Sequence, residues 1–229
     1  MYPDSQQPTS PQPALFQFDE SHHSVELFPE VWSALEDFTK PDVALRATAL
    51  ERLINLDAPR NSPVVAYFLV TKIADQNLEL RARIIETLGD VLISDKNGSN
   101  APAEVRTSLH LYLSGCRTRQ IYAMLQVSAE YPTLDEHIVQ LLNSCPFAGN
   151  HLLDILKDHK TPIGVRKQAV IMIGKVGYLY TIPALERLIG RLETRRNGQK
   201  AMYFASQGHS TDSNLLPYIK EAITRLRAP

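Results

Sequence analysis

Arg46, Arg81 and Arg166 occupy the same place in three copies of one apolar pattern, and that pattern leaves the chain few ways to fold. Aligned on the arginine, Leu45, Ala49, Leu50, Leu53 and Leu56 correspond to Leu80, Ile84, Ile85, Leu88 and Val91, and again to Val165, Ala169, Val170, Ile173 and Val176. The apolar positions step by four, one, three and three residues, which puts them on one face of an α-helix. The copies lie 35 and 85 residues apart, and the second interval is about twice the ~40–47-residue period of stacked helix-pair arrays. A helix with one apolar face cannot bury that face alone and must stack on neighbours.

The rest of the chain agrees with an all-α domain behind a tail. Residues 1–26 carry Pro3, Pro8, Pro11 and Pro13 among Gln, Ser and Thr, with one isolated apolar cluster, Leu15-Phe16-Gln17-Phe18. Such a stretch buries too little apolar surface to offset ordering entropy, so a disordered tail is expected there. Residues 27–229 form the expected helical domain. Helices are expected at about 29–38, 42–56, 63–74, 78–93, 102–114, 118–130, 134–144, 148–158, 163–176, 181–193, 198–207 and 213–226. Ser62-Pro63 and Thr161-Pro162 place a hydroxyl before a first-turn proline, as helix starts do. Thr133 and Glu136 have the spacing of a capping box. Gly115, Gly177 and Gly208 follow periodic segments and read as stops, and 95–100 reads as a polar loop. The arginine copies at 46 and 81 fall on the second helix of a pair but the one at 166 on a first helix. The pairing must therefore change register between residues 95 and 160, where Ala103-Glu104-Val105-Arg106 is a weak fourth match.

The segments Asp42-Val43-Ala44-Leu45-Arg46, Leu78-Glu79-Leu80-Arg81 and Pro162-Ile163-Gly164-Val165-Arg166, with the closing Leu88-Gly89 and Ile173-Gly174, resemble HEAT repeats. The resemblance implies a short right-handed α-α superhelix of about five to six stacked hairpins. Its closing glycines would let helices approach closely, and its arginines would bond a neighbouring repeat's turn. It also implies a concave docking face, which would carry Glu51, Arg52, Asn55, Arg83, Glu86, Asp90, Lys167 and Lys175.

Charge is unevenly distributed. The net charge is −1, yet residues 1–100 hold 8 basic and 15 acidic side chains, and residues 101–229 hold 16 and 10. The densest basic run is Arg187, Arg191, Arg195, Arg196 and Lys200, the candidate binding residues for an acidic protein surface or phosphates. The same cations would favour a helix C-terminus without any partner. Tyr203 and Phe204 read as core, so aromatics for base stacking are sparse.

Nucleotide-loop, nucleophile-elbow and zinc-protease motifs are absent from the sequence. His151, Asp154 and Asp158, with His159 beside them, share a helix face at ligand spacing, as does any polar face of an amphipathic helix. His22-His23 lie in the tail. Cys116 and Cys145 are the only cysteines and form no CxxC pair. No cofactor, metal or membrane partner is expected, and neither a secretory leader nor a bilayer-spanning stretch is expected. The expected function is a cytoplasmic, non-enzymatic protein–protein interaction scaffold. The alternatives are nucleic-acid binding through the basic half, or a HEAT-like lyase or chaperone subunit.

Overall fold

A computed structural model of the chain describes residues 28–94, 98, 100–201 and 212–228, and among these the side chains of all but 195–201 and 213. The expected tail, His22-His23, Tyr203, Phe204 and Gly208 lie outside the described residues. Twelve α-helices and no strand occur among the described residues. They are α1 (Pro29–Phe38), α2 (Val43–Asn55), α3 (Ala58–Asn61), α4 (Pro63–Thr71), α5 (Leu78–Leu92) and α6 (Ala103–Ser114), then α7 (Thr118–Glu130), α8 (Asp135–Asn143), α9 (Ala148–Lys157), α10 (Ile163–Val176), α11 (Ile182–Ala201) and α12 (Leu216–Arg227). Among the described residues, no helix is long and apolar enough to cross a membrane.

The helix starts separate into those the sequence marks and those it does not. Asp42 accepts from the Ala44 amide at 2.9 Å, Ser62 from Val65 at 3.1 Å and Asn77 from Leu80 at 2.8 Å, each satisfying an orphan donor of a first turn. Thr161 does not cap α10. Its hydroxyl donates to Asp158 Oδ2 at 3.1 Å, and Pro162 stands at the cap position. The expected box at Thr133 and Glu136 is also absent, because Pro132–Leu134 form a 3-10 turn and α8 begins only at Asp135. Gly177 ends α10 in the left-handed region, at φ 89°. The expected break near Arg195-Arg196-Asn197-Gly198 is missing: α11 runs through it to Ala201, merging two expected helices. The four-residue α3 is additional to the expected helices, because four residues are too few to show an apolar period.

Packing follows two series of contacts. α1 packs on α2, α4 on α6, α9 on α10 and α11 on α12. Across these, α2 touches α5, α5 touches α8, α8 touches α10 and α10 touches α12. α8 follows α6 and α7 in the chain yet sits between α5 and α10. Arg46, Arg81 and Arg166 all lie on members of this second series. The repeated apolar face is buried at Ala49, Leu50, Leu53, Leu80, Ile84, Ile85, Leu88, Val91, Val165, Ala169, Val170 and Ile173. Leu56 departs from it and is 38% exposed, because α2 has already ended. A Cβ on Gly89 would come within 2.5 Å of His137 Cβ, and one on Gly174 within 3.1 Å of Ala222 Cα. Both glycines therefore let consecutive members of the series, α5 with α8 and α10 with α12, approach closely.

Candidate functional site

The repeat spacing of 35 residues reappears on the outer side of α2 and α5. Ala44, Ala47, Thr48 and Glu51 on α2 correspond to Glu79, Ala82, Arg83 and Glu86 on α5, and all eight line one groove of about 1150 Å³. The positions step by three, one and three residues, so each set shares one side of its helix; Ala44, Ala47 and Thr48 are exposed there and Ala82 is buried. Alanine at three of the eight positions leaves the space between the helices open. Tyr131, just after α7, and Thr133 and Leu134 of the 3-10 turn before α8 also line the groove. Tyr131 is 38% exposed and Val43, at the other end, 39%.

Charge in the groove is organised by Arg83. Its Nε and Nη2 donate to the two oxygens of Glu51 at 2.8 and 3.2 Å, and its Nη1 donates to Glu86 Oε2 at 2.7 Å. The hydrogen bonds from Arg83 lower the pKa of Glu51 below its ordinary value. One guanidinium thus serves two carboxylates, while Asp42 and Glu79 add further acid to the lining. The result is an apolar floor with an acidic rim.

Of the eight residues that the resemblance places on a docking face, Glu51, Arg83 and Glu86 line this groove. Arg52 turns toward α1, donating to Asp37 Oδ2 at 2.8 Å and to Ser33 Oγ at 3.1 Å. Asp90 contacts His137 Nε2 at 3.0 Å. Lys175 donates to Asp135 at 2.9 Å, and Lys167 lies over the Tyr218 ring. Asn55 is exposed outside the groove lining. Taken singly, the alanines and the 131–134 turn carry no signal of a groove in the sequence. Alanine carries no chemistry to single out, and the spacing of Thr133 and Glu136 points to a cap instead. The 35-residue offset was the signal that could have found Ala47 and Ala82.

The repeated arginines bond turns and carbonyls rather than facing the groove. Arg46 donates to Pro41 O at 2.8 Å, Lys40 O at 3.1 Å and Asp75 Oδ1 at 3.1 Å. Arg81 donates to Gln126 Oε1 at 2.7 Å on α7. Arg166 donates to Leu156 O at 2.8 Å and to Asp212. Burial lowers the pKa of Arg81, the proximity of Asp75 opposing it.

The other candidates separate. His151 contacts Thr118 Oγ1 at 2.9 Å, Asp158 accepts from the Lys160 amide at 2.9 Å, and His159 contacts Asp212 at 3.1 Å. These side chains are committed to different neighbours, and no metal-holding cluster occurs among the described residues. The Cys145 thiol donates to Leu113 O at 2.9 Å; its hydrogen bond with Cys116 and its burial push its pKa up, so it is held as a thiol. In the basic run, Arg187 and Arg191 are exposed on α11 beside Lys157. Arg195, Arg196 and Lys200 continue the same helix, with side chains outside the described set. The chain matches no family model, no curated protein and no solved structure.

Proposed function

We propose that the chain is a non-enzymatic protein-binding scaffold, a short right-handed HEAT-like array that receives a partner polypeptide in the α2–α5 groove. The observation that carries this reading is the lining itself, two helix faces in the same 35-residue register bounding about 1150 Å³. Small-molecule sites combine apolar walls with a few convergent polar groups left free for the ligand. Here Arg83, Glu51 and Glu86 are bonded to one another, which leaves the alanine floor and an acidic rim as the recognition features. A helix or extended segment with apolar side chains and flanking Lys or Arg complements both. The basic run from Arg187 to Lys200 would meet an acidic surface elsewhere on the same or another partner.

Ala47→Trp tests the reading. Ala47 is exposed, so the indole fills the groove without entering the core. In affinity capture from native lysate, the parent chain should retain a stoichiometric protein that the folded variant does not. Equal retention by both, or retention of nucleic acid alone, contradicts it.

A further inference from the structure

The described end of the basic run forms part of a second site whose ligand chemistry can be named. Lys157, in the last turn of α9, and Arg187 and Arg191 of α11 line a cleft of about 530 Å³, with Ala184 the fourth of its described lining residues. The sequence run did not include Lys157, because thirty residues separate it from Arg187. Arg187 Nε donates to Pro183 O at 3.1 Å, which fixes the side chain and leaves both terminal nitrogens for a ligand.

Four carboxylates of the neighbouring segments are engaged elsewhere, and exposed Asp154, one turn before Lys157 on α9, forms no ion pair with it. Asp212 is held by Arg166 and His159, and Asp158 by the Lys160 amide and the Thr161 hydroxyl. Glu186 pairs with Arg227, and Glu193 accepts from Lys220 at 2.7 Å. Among the described residues, no carboxylate forms an ion pair with Lys157, Arg187 or Arg191. Three like charges lining one cleft repel one another, and a multiply charged anion between them removes that repulsion.

We propose that Lys157, Arg187 and Arg191 bind a phosphate monoester carried on a partner polypeptide. A phosphate monoester brings about −1.5 to −2 charges and three acceptor oxygens, against one charge for a carboxylate. Guanidinium forks match phosphate oxygens in pairs, and the lysine adds a point charge. Among the described residues three of the four that line the cleft are cations and the fourth is Ala184, so the recognition this lining offers is charge. The three cations are exposed, so a free phosphate ion would be held weakly; a polypeptide adds flanking contacts along α11. The assignment does not depend on what fills the α2–α5 groove.

The test uses the full chain, with the arginine Nε–H signals followed by NMR at constant ionic strength. Inorganic phosphate should shift the Arg187 and Arg191 signals saturably, and acetate should require at least tenfold higher concentration. A phosphoserine peptide with Gly and Ala flanks should bind at least tenfold more tightly than its unphosphorylated form and more tightly than inorganic phosphate. Lys157→Gln and Arg191→Gln should each weaken the phosphopeptide by about tenfold with the melting temperature unchanged; both positions are exposed, so folding is not at stake. Equal binding of phosphate and acetate, or of the two peptides, overturns the proposal. Phosphopeptide affinity no better than that of inorganic phosphate overturns the polypeptide source. Duplex DNA bound more tightly than the phosphopeptide, and lost in the same variants, overturns it in favour of nucleic acid.

Discussion

Arg46 Nη2 lies 3.1 Å from Asp75 Oδ1, tying α2 to the turn that precedes α5. Arg166 is joined in the same sense to Asp212, in the 3-10 turn that precedes α12. In both cases a repeated arginine reaches from one helix of the second contact series to the turn before the next. At these two positions the arginine is a joint between neighbours in the series; Arg81 instead ties α5 to α7 through Gln126.

Asp75 and Arg46 are 12% and 13% exposed, so removing the carboxylate leaves a poorly solvated guanidinium. Asp75 also accepts from the Asn77 amide at 2.9 Å. Asp75→Ala should cost roughly 2–4 kcal/mol in urea denaturation, more than an exposed ion pair would. Asp75→Leu combined with Arg46→Met should recover part of that loss. A single-mutant cost below about 0.5 kcal/mol would show that the pair does not join the helices.

Gly89 and Gly164 are both helical, with opposite surroundings. Gly89→Ala drives a methyl to within 2.9 Å of the His137 Cα and should cost roughly 1–3 kcal/mol as α5 and α8 are pushed apart. Gly164→Ala meets nothing within 4 Å in the first turn of α10 and should stabilise by about 0.4–1 kcal/mol. Thermal denaturation of the two variants should therefore move in opposite directions.

The repeated apolar stripe was legible because a period of this kind survives single exceptions, such as Leu56. Gly89 and Gly174 were legible through the resemblance, whose closing glycine implies a close helix neighbour, whereas Gly164, equally helical, meets nothing within 4 Å. The placement of α8 was not, because nothing local in Asp135–Asn143 says whether it packs on α5 or on α7. The continuity of α11 through Asn197-Gly198 was hidden as well: those residues favour turns in isolation, and the surrounding helix overrides them. Three of the eight repeated groove positions were silent because alanine carries no chemistry to single out.

Leu88 and Ile173 are fully buried on the repeated face. Leu88→Ala and Ile173→Ala should each cost roughly 2–5 kcal/mol, read from the denaturant midpoint at unchanged slope. An unchanged midpoint in either would place that stripe outside the core.

Glu51 has a folded pKa below its ordinary value of 4.5, because Arg83 donates to it. Its contribution to stability is present above that ordinary value and is lost as pH falls through the lower folded one. Both side chains are nearly half exposed, so the effect is small, roughly 0.3 kcal/mol. Glu51→Gln should therefore narrow the stability difference between pH 6 and pH 3 by about that amount. A wider difference in the variant would contradict the sign.

Photocrosslinking tests the groove most directly. A photoreactive residue replaces Thr48, inside the α2–α5 groove, or Leu111, exposed on α6 outside it. Both full-length proteins are irradiated in native lysate. Groove binding predicts one discrete protein adduct from position 48 that disappears when Ala47→Trp is added, and no such adduct from position 111. An adduct from position 111 alone, or one from position 48 that survives Ala47→Trp, would contradict it.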